Sequence, residues 1–410
     1  MSAVAAPSDI YRNRDFLQFV SVRFIAMSAM QIQSVAIGWQ IYNMEGTAFA
    51  LGMVGLCQFA PMFLMTLPAG DIIDRKDQRR VFSAALAVQA LCSAIFVALT
   101  LSGAATSLPY YAVLVLFGAA RGFTGPSGQS LLPFLVPAEK LPRAIAFNSS
   151  AFTTAVIAGP ALGGFLYVLG PAVTYEVCLA AFSISALLVF MLKGRRREKA
   201  AHAGTAHERV IEGIRFVRNR PIILGAMSLD LFAVLLGGAT ALLPIFARDI
   251  LHVGITGLGF LRSAPAVGAA LTALALARWP LERKVGMRMF MAVAIFGVAT
   301  ITFGLSTNFL LSLAALFVLG ASDMISIYVR SALVQFATPD NMRGRVSAVN
   351  MLFIGASNEL GEFESGITAA WLGTIPAVII GGLGTLGIVA IWMRLFPHLR
   401  DVDQMMQGKK

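Results

Sequence analysis

Charged side chains inside a lipid-embedded helix cost about 2.5–3.5 kcal/mol each at the helix centre on insertion scales. The charges within this chain's apolar runs are therefore where chemistry is expected. The densest group is Asn358-Glu359-Leu360-Gly361-Glu362-Phe363-Glu364-Ser365-Gly366. On a helix Glu359 and Glu362 share a face, whereas Glu364 is turned about 140° from Glu359. Two carboxylates so close in a low dielectric do not both ionise readily, so one of them is expected to hold an exchangeable proton. Asp230, Asp323 and Arg121 are further proton-coupling candidates, and Gln31, Gln33, Arg262 and Arg330 are candidates for lining a polar cavity. The plainer alternative, that some glutamates form structural pairs with Arg262 or Arg330, stays open. Arg23, about two turns into the first apolar run, is read as snorkelling toward the cytoplasmic surface.

The elements carrying these charges follow from composition. Of 410 residues, 57% are hydrophobic and 13% charged, with a mean hydropathy of +0.76. A soluble domain carries about 25% charged residues, so the missing solvent is lipid. With about 20 apolar residues needed per crossing, spans are expected near 16–42, 48–69, 81–102, 108–134, 144–168 and 172–192. Six more are expected near 222–247, 253–277, 287–305, 308–335, 346–371 and 375–395. The fold class is thus an all-α membrane protein of twelve transmembrane helices. It divides into an N-terminal six-helix half (1–192), a linker with an amphipathic helix (193–221), and a C-terminal half with a short tail (222–410).

The net charge of +11 resides largely between spans. Basic clusters at Arg75, Lys76, Arg79 and Arg80, at Lys140 and Arg143, at Arg278, Arg283, Lys284 and Arg288, and at Arg343 and Arg345 alternate with loops almost devoid of Lys and Arg. Arg248 is the exception. The positive-inside rule then puts both termini and the linker in the cytoplasm. It also makes the lipid bilayer, rather than nucleic acid, the partner of the basic charge. The first fifteen residues lack the apolar core of a signal peptide. In the linker, Val210, Ile214 and Val217 share one side of a short helix, read as lying on anionic headgroups.

The two halves resemble each other. Pro137 to Asn148 parallels Pro339 to Asn350 at an offset of 202 residues, and the same offset pairs Gly118 with Gly320, Arg121 with Asp323, Gly159 with Gly361 and Gly164 with Gly366. Parallel repeats of this kind are a basis for alternating access.

The chain resembles the major facilitator superfamily along nearly all its length. After the second span, Gly70-Asp71-Ile72-Ile73-Asp74-Arg75-Lys76-Asp77-Gln78-Arg79-Arg80 resembles the family's loop signature, with Asp77 where many members have glycine. The resemblance implies a conformational latch involving Gly70, Asp74, Arg75, Arg79 and Arg80. Gly159-Pro160-Ala161-Leu162-Gly163-Gly164 resembles a motif associated with antiporters, and the loop and the glutamate cluster resemble the subgroup of enterobactin exporters and macrolide efflux proteins. Arg121 stands where the family has an arginine tied to proton coupling, though its surroundings depart from the usual pattern.

Together these imply a secondary transporter that exports a small amphipathic molecule (siderophore, drug or metabolite) against inward proton movement across a bacterial inner membrane. An importer or uniporter of the same fold is the alternative. An enzyme is not expected, since the four histidines are scattered through loops without a nucleophile or metal-ligand constellation. No phosphate-binding G-x-x-x-x-G-K-[ST] loop is present. Neither cofactor nor metal is called for, Cys57, Cys92 and Cys178 read as packing residues, and a monomer, already holding both halves, suffices.

Overall fold

A computed structural model describes residues 13–192, 206–281, 283–339 and 342–403; within these, side chains that lie outside the description include those of Asp71, Asp74, Arg343 and Glu359. The chain is helical throughout, with no strand among the described residues. The helices are α1 (Arg14–Glu45), α2 (Ala48–Arg75), α3 (Gln78–Leu101), α4 (Leu108–Leu131), α5 (Leu141–Val168) and α6 (Pro171–Met191). After the short α7 (Ala206–Arg218) come α8 (Pro221–Leu236), α9 (Gly254–Arg278), α10 (Val285–Leu305), α11 (Phe309–Ala337), α12 (Arg343–Leu372) and α13 (Thr374–Leu395).

Among the described residues ten helical segments are long and apolar enough to cross a membrane. Two more have the length without the apolarity: α4, which contains Arg121, and α12, which contains Glu359, Glu362 and Glu364. Two of the helices that carry candidate charges are thus too polar to pass as simple spans.

The chain separates into two compact units, residues 1–37 with 60–204, and residues 38–59 with 205–410. In the first, α3 packs along α6 and α4, with Tyr110, Phe117, Tyr175 and Phe182 almost fully buried. In the second, α11 packs on α9 and α10, and α12 on α8. The approach of α11 to α9 depends on glycine: a Cβ on Gly320 would collide with the Pro265 carbonyl, and one on Gly268 with that of Phe317. Asp77 and Asn308 cap the starts of α3 and α11 with their side chains. Asn308 Oδ1 accepts from the amides of Leu310 and Leu311 at 2.9 and 3.1 Å.

One span departs from its expected form. Instead of one helix over 222–247, α8 ends at Leu236 and continues through a 3-10 turn (Ala239–Leu242) to a π turn (Phe246–Ile250). Gly237 and Gly238 lie at the break, where a Cβ on Gly238 would sit 2.6 Å from the Gly361 oxygen of α12. The freed peptide groups find new partners, among them Ala239 N–H to Gly237 O at 2.7 Å and Leu251 N–H to Phe246 O at 2.7 Å. An irregular stretch at membrane depth requires this.

The amphipathic α7 also differs from expectation. Val217 is buried in a cluster with Ile223, Met227, Val346 and Val349, whereas Ile211 and Ile214 are exposed. Gly213 lies against the backbone of α12, where its own Cβ would be 2.8 Å from the Arg345 oxygen. Glu212 and Arg345 pair alongside at 2.8 Å. One side of α7 is therefore docked on protein, leaving the isoleucines outward.

Candidate functional site

In the first unit, α5 lies on α1 through the small residues of the sequence motif. A Cβ on Gly159 would stand 2.6 Å from Gln31 Cβ, and one on Gly163 would stand 3.0 Å from Ile32 Cα. Pro160 and Gly164 are buried in the same helix. Gln31 thus packs on α5. Gln33 faces α3 and is buried, its Oε1 accepting from the Ser93 hydroxyl at 2.6 Å. Arg121 is half-buried on α4, and its carbonyl accepts from Thr124 Oγ1 at 3.1 Å.

Arg23 is not simply directed along the helix to the surface. Its guanidinium folds between α4 and α5, 5.8 Å from the Phe152 ring centroid. A Cβ on Gly128 would come within 2.8 Å of its Nη1. It borders a cavity of about 470 Å³ between α1, α4 and α5, which Asn148, Ser149 and Thr153 also line. Sequence reasoning missed this site. The available signal was Asn148 itself, which recurs as Asn350 in the repeat.

In the second unit two of the embedded charges are joined directly. Asp230 of α8 and Arg330 of α11 form an ion pair with both residues buried. Arg262 of α9 is within electrostatic reach of Glu362 of α12, and its Nη2 lies 3.6 Å from where a Cβ on Gly38 would be. Glu364 accepts from Thr368 Oγ1 at 2.8 Å, one turn along the helix. Asp323 is half-buried on α11. Glu359 belongs to α12, with its side chain outside the described residues. The pairing of Arg330 is thus with Asp230 rather than with a glutamate of α12, while Arg262 is within electrostatic reach of Glu362.

In the loop after α2, Asp77 caps α3 by accepting from Arg79 N–H at 3.0 Å. Its carboxylate also takes Arg79 Nε at 3.2 Å and Nη2 at 2.8 Å. Arg79 Nη1 in turn donates to the Leu192 carbonyl at the end of α6. These hydrogen bonds from Arg79 hold the Asp77 carboxyl below the usual carboxylate range. The residue that departs from the family pattern is therefore the one that orients Arg79. Gly70 lies in α2, Arg75 and Arg80 are exposed, and the Asp74 side chain lies outside the described residues.

The family described as transmembrane secretion effectors, a branch of the major facilitator superfamily, matches residues 10–409. The chain belongs to this family. It is a multi-span membrane transporter and not an enzyme. Among its relatives is the enterobactin exporter EntS of Citrobacter koseri, 24% identical and aligned over 93% of this chain and 92% of the relative. Another is the multidrug efflux pump Tap of Mycolicibacterium fortuitum, 28% identical over 91% of this chain and 93% of the pump. In fold, this secretion-effector chain is similar to the nucleoside transporter NupG (TM-score 0.71, 14% identity, 93% of this chain and 99% of that one). It is also similar to an inward-facing bacterial homologue of the lysosomal transporter Spinster (TM-score 0.71, 14% identity, 95% and 96%).

Proposed function

We propose that this secretion-effector family member exports a small amphipathic molecule by alternating access, coupled to inward proton movement. The observation that carries the reading is the family match over residues 10–409, joined to full-length relatives that are an enterobactin exporter and a multidrug efflux pump. In this reading α4 and α12 join the ten apolar spans to give twelve. They are arranged as halves 1–192 and 222–410 joined by the linker 193–221, with both termini cytoplasmic and the chain a monomer in a bacterial inner membrane.

The proton is assigned to α12. Glu362 has Arg262 as its counter-charge, so protonating it would release the guanidinium from that attraction and deprotonating it would restore the pair. Such a switch couples proton occupancy to the electrostatic attraction between Arg262 of α9 and Glu362 of α12, both within one unit. Glu359 and Glu364 are the further proton carriers of this helix, with Arg121, Asp323 and Asp230 as the remaining candidates. The latch residues Gly70, Asp74, Arg75, Arg79 and Arg80 act at the cytoplasmic side. The motif at Gly159, Pro160, Gly163 and Gly164 supplies the close helix packing that antiport requires.

The test is transport in proteoliposomes with an imposed pH gradient and a panel of amphipathic compounds. Export coupled to protons predicts that one compound dissipates the gradient and that Glu362→Gln abolishes this. Movement of a compound with no accompanying proton flux would overturn the coupling, and movement only in the inward direction would overturn export.

A further inference from the structure

The two units treat one position of the repeat differently. Arg23 and Asp230 are each the tenth residue of their helix, α1 and α8. Gly128 of α4 and Arg330 of α11 correspond at the offset of 202 residues that pairs Arg121 with Asp323. In the second unit the α8 residue meets the α11 residue as a complete ion pair, Asp230 with Arg330. In the first unit the α1 residue meets the α4 residue too, but the pair is an arginine against a glycine. The cation is present, but the α4 position carries no carboxylate, and the guanidinium itself fills the place a side chain there would take.

Beside the guanidinium lies the cavity of about 470 Å³. No acidic residue is found among the described residues that line it. Its polar lining consists of Arg23, Gln129, Asn148, Ser149 and Thr153, all able to donate hydrogen bonds. Arg23 has no ion-pair or hydrogen-bond partner among the described residues, and its Nε is buried and unsatisfied. The amide oxygen of Asn148 is buried and unsatisfied as well, and a turn of that amide would present its NH2 group instead. A donor-rich cavity beside a cation with these groups unsatisfied has hydrogen-bonding capacity left for a ligand. The same two helices, α1 and α5, also line an apolar cavity of about 330 Å³ with Val20, Phe24 and Phe147.

We propose that the cavity between α1, α4 and α5 binds the anionic head group, a carboxylate or phosphate, of an amphipathic molecule, with Arg23 as its counter-ion. The apolar cavity is the place for the body of the molecule. The inference rests on the transport reading and narrows its substrate class to amphipathic anions, leaving open whether the anion is a transported solute or a membrane lipid.

The experiment compares binding of dansyl-undecanoic acid and its carboxamide to the purified full-length protein by fluorescence, in nanodiscs of neutral phosphatidylcholine. The acid is expected to bind at least about tenfold more tightly than the amide, the scale of one charge-assisted hydrogen bond. Arg23→Gln is expected to erase that preference and Arg23→Lys to keep part of it, both judged on protein that elutes as a single folded species. If Arg23→Gln does not fold, Asn148→Asp, which places a carboxylate inside the cavity, serves in its stead and should erase the preference. Adding phosphatidylglycerol to the nanodiscs separates the sources: competition with the acid identifies a lipid headgroup, and no competition identifies a solute. Equal binding of acid and amide to the wild type, no binding of the acid, or a preference that survives Arg23→Gln would overturn the proposal. The transport reading would stand in that case, because the proteoliposome assay measures it separately.

Discussion

Asp230 and Arg330 form a buried ion pair that ties α8 to α11, with Arg330 Nε left without a partner. Two opposite charges held out of water add little net stability, but removing one strands the other. Asp230→Asn or Arg330→Gln alone should cost about 3–5 kcal/mol, read as a large fall in the thermal midpoint of the detergent-purified protein. The apolar double variant Asp230→Leu with Arg330→Met should recover most of the loss. A double variant as unstable as either single one would mean that the pair does more than neutralise itself.

The contact of α5 with α1 predicts a sharp size limit. Gly159→Val would drive side-chain atoms into Gln31, an overpacking worth about 1–3 kcal/mol. A Cβ on Gly125, in α4, would meet no atom within 4 Å, so Gly125→Ala should be tolerated or stabilise the helix by up to about 1 kcal/mol. Thermal midpoints of the two variants, measured side by side, test the difference.

Asp77 predicts both a capping and a pH effect. Asp77→Ala should cost about 1 kcal/mol through the lost cap of α3, while Asp77→Asn keeps a capping side chain and loses the carboxylate's charge beside Arg79. Because folding lowers the carboxyl's pKa, its stabilising contribution is complete above the unfolded value of about 4. It falls away as the pH drops through the folded value. Both variants should therefore show a flatter acid limb than the wild type in a melting series below about pH 5.

The linker helix separates packing from charge. Glu212 and Arg345 are substantially exposed, so Glu212→Gln should shift stability by no more than about 1 kcal/mol. Gly213→Leu cannot keep the close approach to Arg345 and Val349. It should release α7, which limited proteolysis in the linker would detect as faster cleavage than in Glu212→Gln.

Most span positions were legible because a run of about 20 apolar residues has few other uses. The break in α8 was not, since Gly237 and Gly238 look like ordinary membrane-helix glycines until Gly361 is found against one of them. A partnership of Arg262 with the glutamates could be named from charge alone, but that of Arg330 with Asp230 required the packing of α8 on α11. Arg23 misled for a related reason: a long cationic side chain near a helix end can reach the surface or fold inward, and only Gly128 makes room for the second. Asp77 registered as a departure from a pattern, whereas its role emerged from the position of Arg79 between α3 and the end of α6.

The polarity of α12 bears on how the chain is made. As the eleventh span of the proposed topology, α12 emerges from the ribosome bearing three glutamates, each unfavourable in lipid on the insertion scale. A helix so burdened has little reason to leave the translocon alone. The following α13, with a mean hydropathy of 2.1, can draw it in as a hairpin, while Arg262 on the earlier α9 offers a counter-charge already in place. Loss of that arginine would then appear first as failed assembly during synthesis, before any transport cycle begins.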